Sequence, residues 1–435
     1  MPHNITLIGG GSSTFTPVLM KLFIESQPLR GSTITLMDVD RRRLEVMEQL
    51  CTHLVRKTGA QLAIRSTTNR RESLEGADFV ITSISVGGMD AWEHDIEIPA
   101  KCGIFMTTAD SIGPGGIMRA WRHIPALAAV CRDLEEVAPD AWVLNYTNPA
   151  TTIAIALRKA SAVKVVSLCS GSCFPRTGAY IHGLDPADLM LPAPAAGLNH
   201  CTAVPALRFK DGRDALPVAR AHAEYPVTQW ALDTYGVLPY PASHWVEFFP
   251  SLCRLNEPYQ GQAQGLRMKY GEIHRMDHER DRVRKWEQLV ERWGKGEDEE
   301  AWQTVLPESE GIEVVEIIES LIENRNEIFA VNVPNAGAIP NLPDEAIVEV
   351  SSVVNGYGIH PMRMDPLPEP LAAHLRQHIA VQELTAEAAL TGSRKLALQA
   401  FLEDLHVQAH LTPAEAEKLM DEMLAAHKTY LPQFS

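Results

Sequence analysis

The chain has 435 residues, 45% of them hydrophobic, and a formal net charge of -16. At about 150 residues per domain this length predicts two to three domain-sized units. The acidic balance repels phosphate backbones and anionic membrane surfaces, so no nucleic-acid and no membrane partner is expected. It leaves room for a small anion held by local arginines. Seven cysteines is an odd number, and they follow no disulfide spacing. No apolar run approaches the roughly 20 residues that span a bilayer, and Met1-Pro2-His3-Asn4 leads straight into a strand, without a signal-peptide pattern. The expectation is a reduced, cytoplasmic protein.

The first predicted strand, Asn4 to Ile8, runs into Gly9-Gly10-Gly11-Ser12-Ser13-Thr14 and then a helical segment from Pro17 to Glu25. A second strand, Thr33 to Met37, ends at Asp38. Strand, glycine turn, helix, strand and acid, in that order, make a dinucleotide-binding unit. Glycines let backbone N–H groups approach a pyrophosphate at a helix N-terminus. Gly9 and Gly11 fill the first two positions of the fingerprint, with Thr14 at the third. Gly9, Gly11, Ser12, Ser13 and Asp38 are therefore the candidate cofactor contacts, with Asn145 from a later strand end. Arg41-Arg42-Arg43 would suit a 2′-phosphate, but the acid at the strand end favours NAD over NADP; the arginines read as a solvated helix start.

Further strands are predicted at Phe79–Ile84, Trp142–Tyr146 and Val163–Leu168, separated by helical patterns such as Ile124–Val137 and Thr152–Ala160. The alternation predicts an α/β fold, a Rossmann-like doubly wound parallel sheet, over residues 1–197. Ligands collect at the carboxyl ends of such strands. Val86-Gly87-Gly88, Asn145 to Pro149 and Cys169-Ser170-Gly171 all lie there. Cys169, delivered by a buried strand, and His200, about thirty residues on, form a candidate metal pair.

After Leu198 prolines become frequent, and the pattern mixes strands and helices. A charged helical run over Glu272–Trp302 reads as a solvated surface helix. Ile312–Asn324 is amphipathic. Strands at Phe329–Val333 and Ala346–Val354 flank the loop Pro334-Asn335-Ala336-Gly337, and helices at Pro370–Leu390, Arg394–Leu405 and Pro413–His427 close the chain. Residues 198–435 are expected to form an α+β C-terminal domain for substrate binding and oligomerisation.

Together the motifs resemble glycoside hydrolase family 4. They are Ile8-Gly9-Gly10-Gly11-Ser12, Ala109-Asp110-Ser111 through Met118-Arg119, Asn145-Tyr146-Thr147-Asn148-Pro149, Leu168-Cys169, Gly197-Leu198-Asn199-His200, Asn332 to Gly337 and Ile347-Val348-Glu349-Val350. Ile98 to Gly103 and Asp233-Thr234-Tyr235-Gly236 look most like its α-uronidase branch, the α-galacturonidases and α-glucuronidases. The resemblance implies a homodimer or homotetramer acting on a small-molecule glycoside with NAD and Mn(II) or another divalent metal. It also implies a route unlike the two-carboxylate scheme, to which this family is an exception. C3 of the sugar is oxidised, C2 is deprotonated, the aglycone is eliminated, water adds, and the ketone is re-reduced. Cys169 and His200 would hold the metal, and Asn148 and Arg119 would contact the sugar.

The sequence departs from the family pattern at two places. After the metal cysteine stands Ser170, a poor acid for the departing oxygen, followed by Gly171-Ser172-Cys173; Ser172 is a candidate donor to an anionic substituent. The loop after Gly236 lacks the aspartate expected as base, so Tyr240 or His244 is predicted in its place, with Tyr240 preferred. Ser85-Val86 precede Gly87 where phosphosugar members carry an arginine, which argues against a 6-phosphate. The sequence therefore predicts a glycosidase for a C6-carboxylate sugar. A sulfoquinovosidase working by the same mechanism and an NAD-dependent sugar or hydroxy-acid dehydrogenase are the alternatives.

Overall fold

A computed structural model describes residues 1–106, 108–171, 174–177, 183–223, 225–253, 281–297, 306 and 311–434. Its centre is one 12-stranded sheet in the order β3-β2-β1-β4-β5-β6-β10-β11-β7-β8-β9, with β12 paired to β11. The strands are β1 (Asn4–Ile8), β2 (Thr33–Met37), β3 (Ala63–Thr67), β4 (Phe79–Thr82), β5 (Trp142–Asn145), β6 (Lys164–Ser167), β7 (Ala196–Leu198), β8 (Cys201–Val204), β9 (Leu238–Tyr240), β10 (Glu327–Pro334), β11 (Ile347–Asn355) and β12 (Gly358–Pro361). The first six pair in parallel. Their order, 3-2-1-4-5-6, is that of a doubly wound dinucleotide fold with its crevice at the β1/β4 switch point. Covered on both faces, β1 and β4 are buried at every position but Asn4, with Thr6 and Thr82 enclosed among the apolar residues.

The sheet does not stop at β6. Asn332 of β10 bridges Ser167 of β6 in antiparallel sense, and β11 and β7 continue from there. The expected second-half strands are thus the continuation of the first sheet, and one large core, including Phe23, Trp121, Ile153, Phe329 and Phe401, runs beneath most of it. A satellite cluster of Phe174, Leu189, Val204, Leu207, Leu238 and Tyr240 packs beyond the β8–β9 edge.

Two helices differ from the sequence reading. The helix expected from Ile124 begins at Gly113 and runs to Val137. Its start, Gly113-Pro114-Gly115-Gly116, looks like a loop by propensity, yet the glycines are there for close approach. A Cβ on Gly115 would stand 2.7 Å from the Asp95 carbonyl oxygen, and one on Gly116 would stand 2.7 Å from the Ser111 carbonyl carbon. Of the charged run, residues 272–280 and 298–302 lie outside the described residues, and the described part is not simply a solvated face. Residues 281–294 are helical, and two tryptophans seven apart, Trp286 and Trp293, are buried. Trp286 Nε1 donates to the Ser13 carbonyl at 2.9 Å, so this helix leans on the glycine turn. Seven residues is two helical turns, so one apolar stripe is hidden among many charges.

Candidate active site

The glycine turn leaves the carboxyl end of β1 as expected. Gly9 has φ +96°, and a Cβ there would lie 2.1 Å from the Ser83 carbonyl oxygen. Only glycine fits where the turn passes this close to β4. A Cβ on Gly11 would meet the Asp38 carboxylate at 2.9 Å, and the Gly11 N–H donates to Asp38 Oδ2 at 2.9 Å. Ser12 Oγ accepts from the Phe15 N–H at 3.0 Å, opening the helix Phe15–Glu25. Ser13 is fully buried and its carbonyl is taken by Trp286. The turn and the acid at the end of β2 thus form one cradle with the helix N-terminus behind it. The side chain of Asn145, an expected cofactor contact, is engaged within the sheet. It is fully buried, its Oδ1 accepts from Thr82 Oγ1 and the Thr147 N–H, and its Nδ2 donates to Ser167 Oγ and the Thr147 carbonyl. Every hydrogen-bonding capacity of its side chain is used in knitting β4, β5 and β6 together, so it shapes the edge rather than facing the cleft.

Across that edge lies a cluster of titratable side chains. Asp110, His200 and His244 bring a carboxylate oxygen and two imidazole nitrogens within 4.8 Å of one another. Asp110 Oδ1 is 3.5 Å from His200 Nδ1 and 3.9 Å from His244 Nδ1. The two rings stack with centroids 4.0 Å apart and planes 27° apart. Ser111 Oγ donates to Asp110 Oδ1 at 2.7 Å and lies 2.6 Å from His200 Nδ1. Asn148 Nδ2 donates to Asp110 Oδ2 at 2.9 Å, and the Asn148 carbonyl accepts from His123 Nδ1 at 2.7 Å. Burial alone would raise the Asp110 pKa, but the charge and hydrogen bond of His200, then His244 and Arg119, hold it well below the usual carboxylate range. Burial would likewise lower the pKa of His200, but Cys169 and Asp110 outweigh it and keep it well above the ordinary value. Cys169 belongs to the group: its side chain hydrogen-bonds the His200 ring, and its Sγ accepts from the Gly171 N–H at 3.2 Å.

Several expected site residues therefore meet here, namely Cys169, His200, His244 and Asn148. Arg119 is near enough to depress both Asp110 and His123, and its guanidinium rests 4.9 Å over the Trp92 ring. Ser170 is exposed at the rim. Ser172 lies outside the described residues. Tyr240, expected as the base, lies on β9 next to the turn that carries His200, with Tyr240 paired to Thr202. It is 8% exposed, stacks on Phe174 at 4.3 Å, and belongs to the satellite core. An aromatic on a three-residue edge strand found a packing partner that no local pattern announced.

Sequence reasoning gave Asp110 no role, although it stands between Ala109 and the glycine-rich helix start. Its backbone carries a signal visible only in three dimensions. Ala109 has φ +56°, in the left-handed region, and is held there by the fully buried Glu247. Glu247 Oε1 accepts from the N–H groups of Thr108 and of Ala109, the latter at 3.0 Å.

Residues 4–174 match the sequence model for the family 4 glycosyl hydrolases, and residues 195–407 match the C-terminal domain of the same family. The chain belongs to glycosyl hydrolase family 4. It is 31% identical over 447 residues to an alpha-galactosidase of Bacillus subtilis, covering 99% of both chains. It is 28% identical over 456 residues to an alpha-galacturonidase of the same organism, covering 97% of this chain and 96% of that one. The crystal structure of a 6-phospho-alpha-glucosidase from gut microorganisms, in complex with NAD and Mn2+, superposes with a TM-score of 0.81 at 22% identity, covering all of both chains. The family read from the motifs is thus the family of the chain, and its fold extends over the full length. Among the described residues, no helix is long and apolar enough to cross a membrane.

Proposed function

We propose that this family 4 enzyme is an NAD- and divalent-cation-dependent glycosidase acting on glycosides of a C6-carboxylate sugar. The observation that carries the reading is the placement of the Asp110–His200–His244 cluster, with Cys169, on the same carboxyl edge as the Gly9–Gly11 cradle. The residues fit both groups. A turn in which a Cβ at Gly9 or Gly11 would collide matches a backbone built for close approach to a pyrophosphate. The buried Asp110 carboxylate and His200 imidazole, 3.5 Å apart, and the half-buried Cys169 thiol beside them suit a divalent transition metal such as Mn(II). When bound, NAD supplies a hydride acceptor for the sugar C3 and the cation supplies Lewis acidity to the sugar oxygens.

The remaining roles belong to the chain itself. Asp110 stays ionised and, with Cys169 and His200, would hold the cation. Asn148, fixed by Asp110 on its side chain and His123 on its carbonyl, orients a sugar hydroxyl. His244, at the open side of the cluster and 22% exposed, takes the C2 proton; an imidazole is suited to this near neutral pH without the shift that a tyrosine would need. Ser170, at the rim, offers a hydroxyl toward the leaving oxygen. Arg119 is the cation we assign to the sugar carboxylate.

The alpha-galacturonidase relative supports the uronide, as does the pair Ser85-Val86 where an arginine for a 6-phosphate would stand. The alpha-galactosidase relative favours a neutral hexoside instead. Aryl glycosides of galacturonate, glucuronate, galactose and sulfoquinovose, assayed with NAD and Mn(II), test the reading. The uronides should turn over at least tenfold faster in kcat/KM than the others. Preference for galactoside or sulfoquinovoside would overturn the carboxylate assignment.

A further inference from the structure

Glu349 lies in the middle of β11 and is 1% exposed. Among the described residues no lysine, arginine or histidine forms an ion pair with it. Its carboxylate is instead satisfied by three neutral donors. Oε2 accepts from Asn332 Nδ2 at 2.8 Å and from Asn199 Nδ2 at 2.9 Å, and Oε1 accepts from Thr202 Oγ1. Burying an uncompensated carboxylate is expensive. A core whose only task was to join β10, β11 and β7 would do as well with an aliphatic side chain there.

The donors explain what the carboxylate is placed to do. Asn332 also donates to the Ser167 carbonyl at 3.3 Å and accepts from Thr151 Oγ1 at 3.2 Å. Ser167 is the last residue of β6, two before Cys169. Asn199 immediately precedes His200, whose backbone sits at φ +66°, a left-handed conformation uncommon for a non-glycine residue. Thr202 lies just beyond the same turn. One carboxylate therefore ties the strand end that delivers Cys169 to the turn that delivers His200. The register places Glu349 opposite both Asn332 and Gly197.

We propose that Glu349 is a positioning residue that fixes the mutual spacing of Cys169 and His200, and so sets the affinity of the site for its divalent cation. This rests on the metal-site reading above. A glutamine can take over the role. Its carbonyl oxygen accepts from both asparagines, and its amide donates to Thr202 Oγ1, which is already 3.2 Å from the Leu198 carbonyl and can turn its proton there. A leucine fills the space but leaves both asparagine amides without their acceptor. Losing a group bonded directly to a metal ligand typically costs 10- to 100-fold in metal affinity, and a loss at the lower end of that range is expected for a carboxylate one bond further out.

The test is Mn(II) binding to the full-length protein, followed by the electron paramagnetic resonance of the free ion. Cobalt(II) substitution adds a second readout, the thiolate-to-cobalt charge-transfer band that reports the Cys169 bond. Glu349→Leu should raise the Mn(II) Kd at least tenfold and weaken the charge-transfer band, while NAD still binds, because the cradle on β1 is remote from β11. Glu349→Gln should stay within about threefold of wild type, in keeping with the usual small cost of a replacement that preserves hydrogen bonds. Asn199→Ala supplies an independent variant should Glu349→Leu fail to fold, and it should show the same tenfold loss. A folded Glu349→Leu or Asn199→Ala protein with wild-type Mn(II) affinity would overturn the positioning role alone, and so would a Glu349→Gln protein as weak as Glu349→Leu. A wild-type protein whose Mn(II) binding is unaffected by His200→Ala would overturn the metal site itself.

Discussion

Removing the Glu247 carboxylate should damage the site without touching any group that meets substrate. Both hydrogen bonds go to one oxygen: Oε1 accepts from the Thr108 and Ala109 N–H groups, and all three residues are at most 3% exposed. Glu247→Ala leaves two buried donors without an acceptor, at about 1–3 kcal/mol each, or roughly 2–6 kcal/mol together. Part of this returns when Ala109 leaves its left-handed φ of +56°, a conformation that costs a non-glycine residue about 1–2 kcal/mol. The net destabilisation is then about 0–5 kcal/mol, with the Asp110 backbone displaced as the strain is released. A shift of this kind costs on the order of 100-fold in turnover when a positioned group is moved by about an ångström. The assay pairs urea unfolding followed by circular dichroism with aryl-glycoside turnover. Glu247→Gln is the control, because a carbonyl oxygen at the Oε1 position accepts both N–H groups. It should keep most of the activity and stability. Wild-type kcat and unfolding midpoint in Glu247→Ala would refute the clamp, and Glu247→Gln as impaired as Glu247→Ala would show that the charge matters rather than the acceptor.

Three further outcomes follow from the same kind of argument. Arg122 pairs in bidentate fashion with Asp95 at 2.6 and 2.8 Å, His427 Nε2 lies 3.1 Å from Asp95 Oδ1, and the paired side chains are at most 1% exposed. Asp95→Asn strands the guanidinium and should cost roughly 3–5 kcal/mol in urea unfolding; a change under about 1 kcal/mol, within the range of ordinary surface substitutions, would contradict the pairing. Burial of Glu313 pushes its pKa up from 4.5 to about 7 despite Arg176. A raised folded-state pKa gives stability that is complete below the unfolded value and lost as pH rises through the folded one. Glu313→Gln should therefore gain on the wild type between pH 5 and 8, by up to about 3 kcal/mol from a shift of this size; a pH-independent difference would refute it. His244→Gln should abolish C2 proton exchange while keeping Mn(II) affinity within about threefold, as expected of a base outside the metal shell. A tenfold affinity loss like that of His200→Ala would make it a ligand instead.

The first half of the fold could be read locally. Short, largely apolar strands, a glycine turn and an acid at the second strand end are short-range signals, and β1, β2, β4, β5 and β6 lie where those signals put them; β3, Ala63–Thr67, was not anticipated, because its sequence Ala-Ile-Arg-Ser-Thr carries no apolar run. The continuation of the sheet could not, because the single bridge between Asn332 and Ser167 joins positions 165 residues apart in sequence. Cys169, His200 and Asn148 were legible because each sits at a strand end or a sharp turn with chemistry-bearing side chains. Asp110 was not, because what singles it out is the strained backbone before it and a carboxylate from Glu247, 137 residues later. Tyr240 adds a contact that no local pattern carries, the stacking of its ring on Phe174. Trp286 and Trp293 were hidden within a charged helix, where a two-residue stripe carries little weight against its neighbours.

The central claim is cleavage through oxidation and C2 deprotonation, and the most direct measurement of it is turnover of an aryl uronide in D2O with NAD and Mn(II). The released sugar should carry deuterium at C2, with no net accumulation of NADH as aglycone appears. Aglycone release with full retention of the C2 proton, or NADH formed in proportion to substrate consumed, would contradict it.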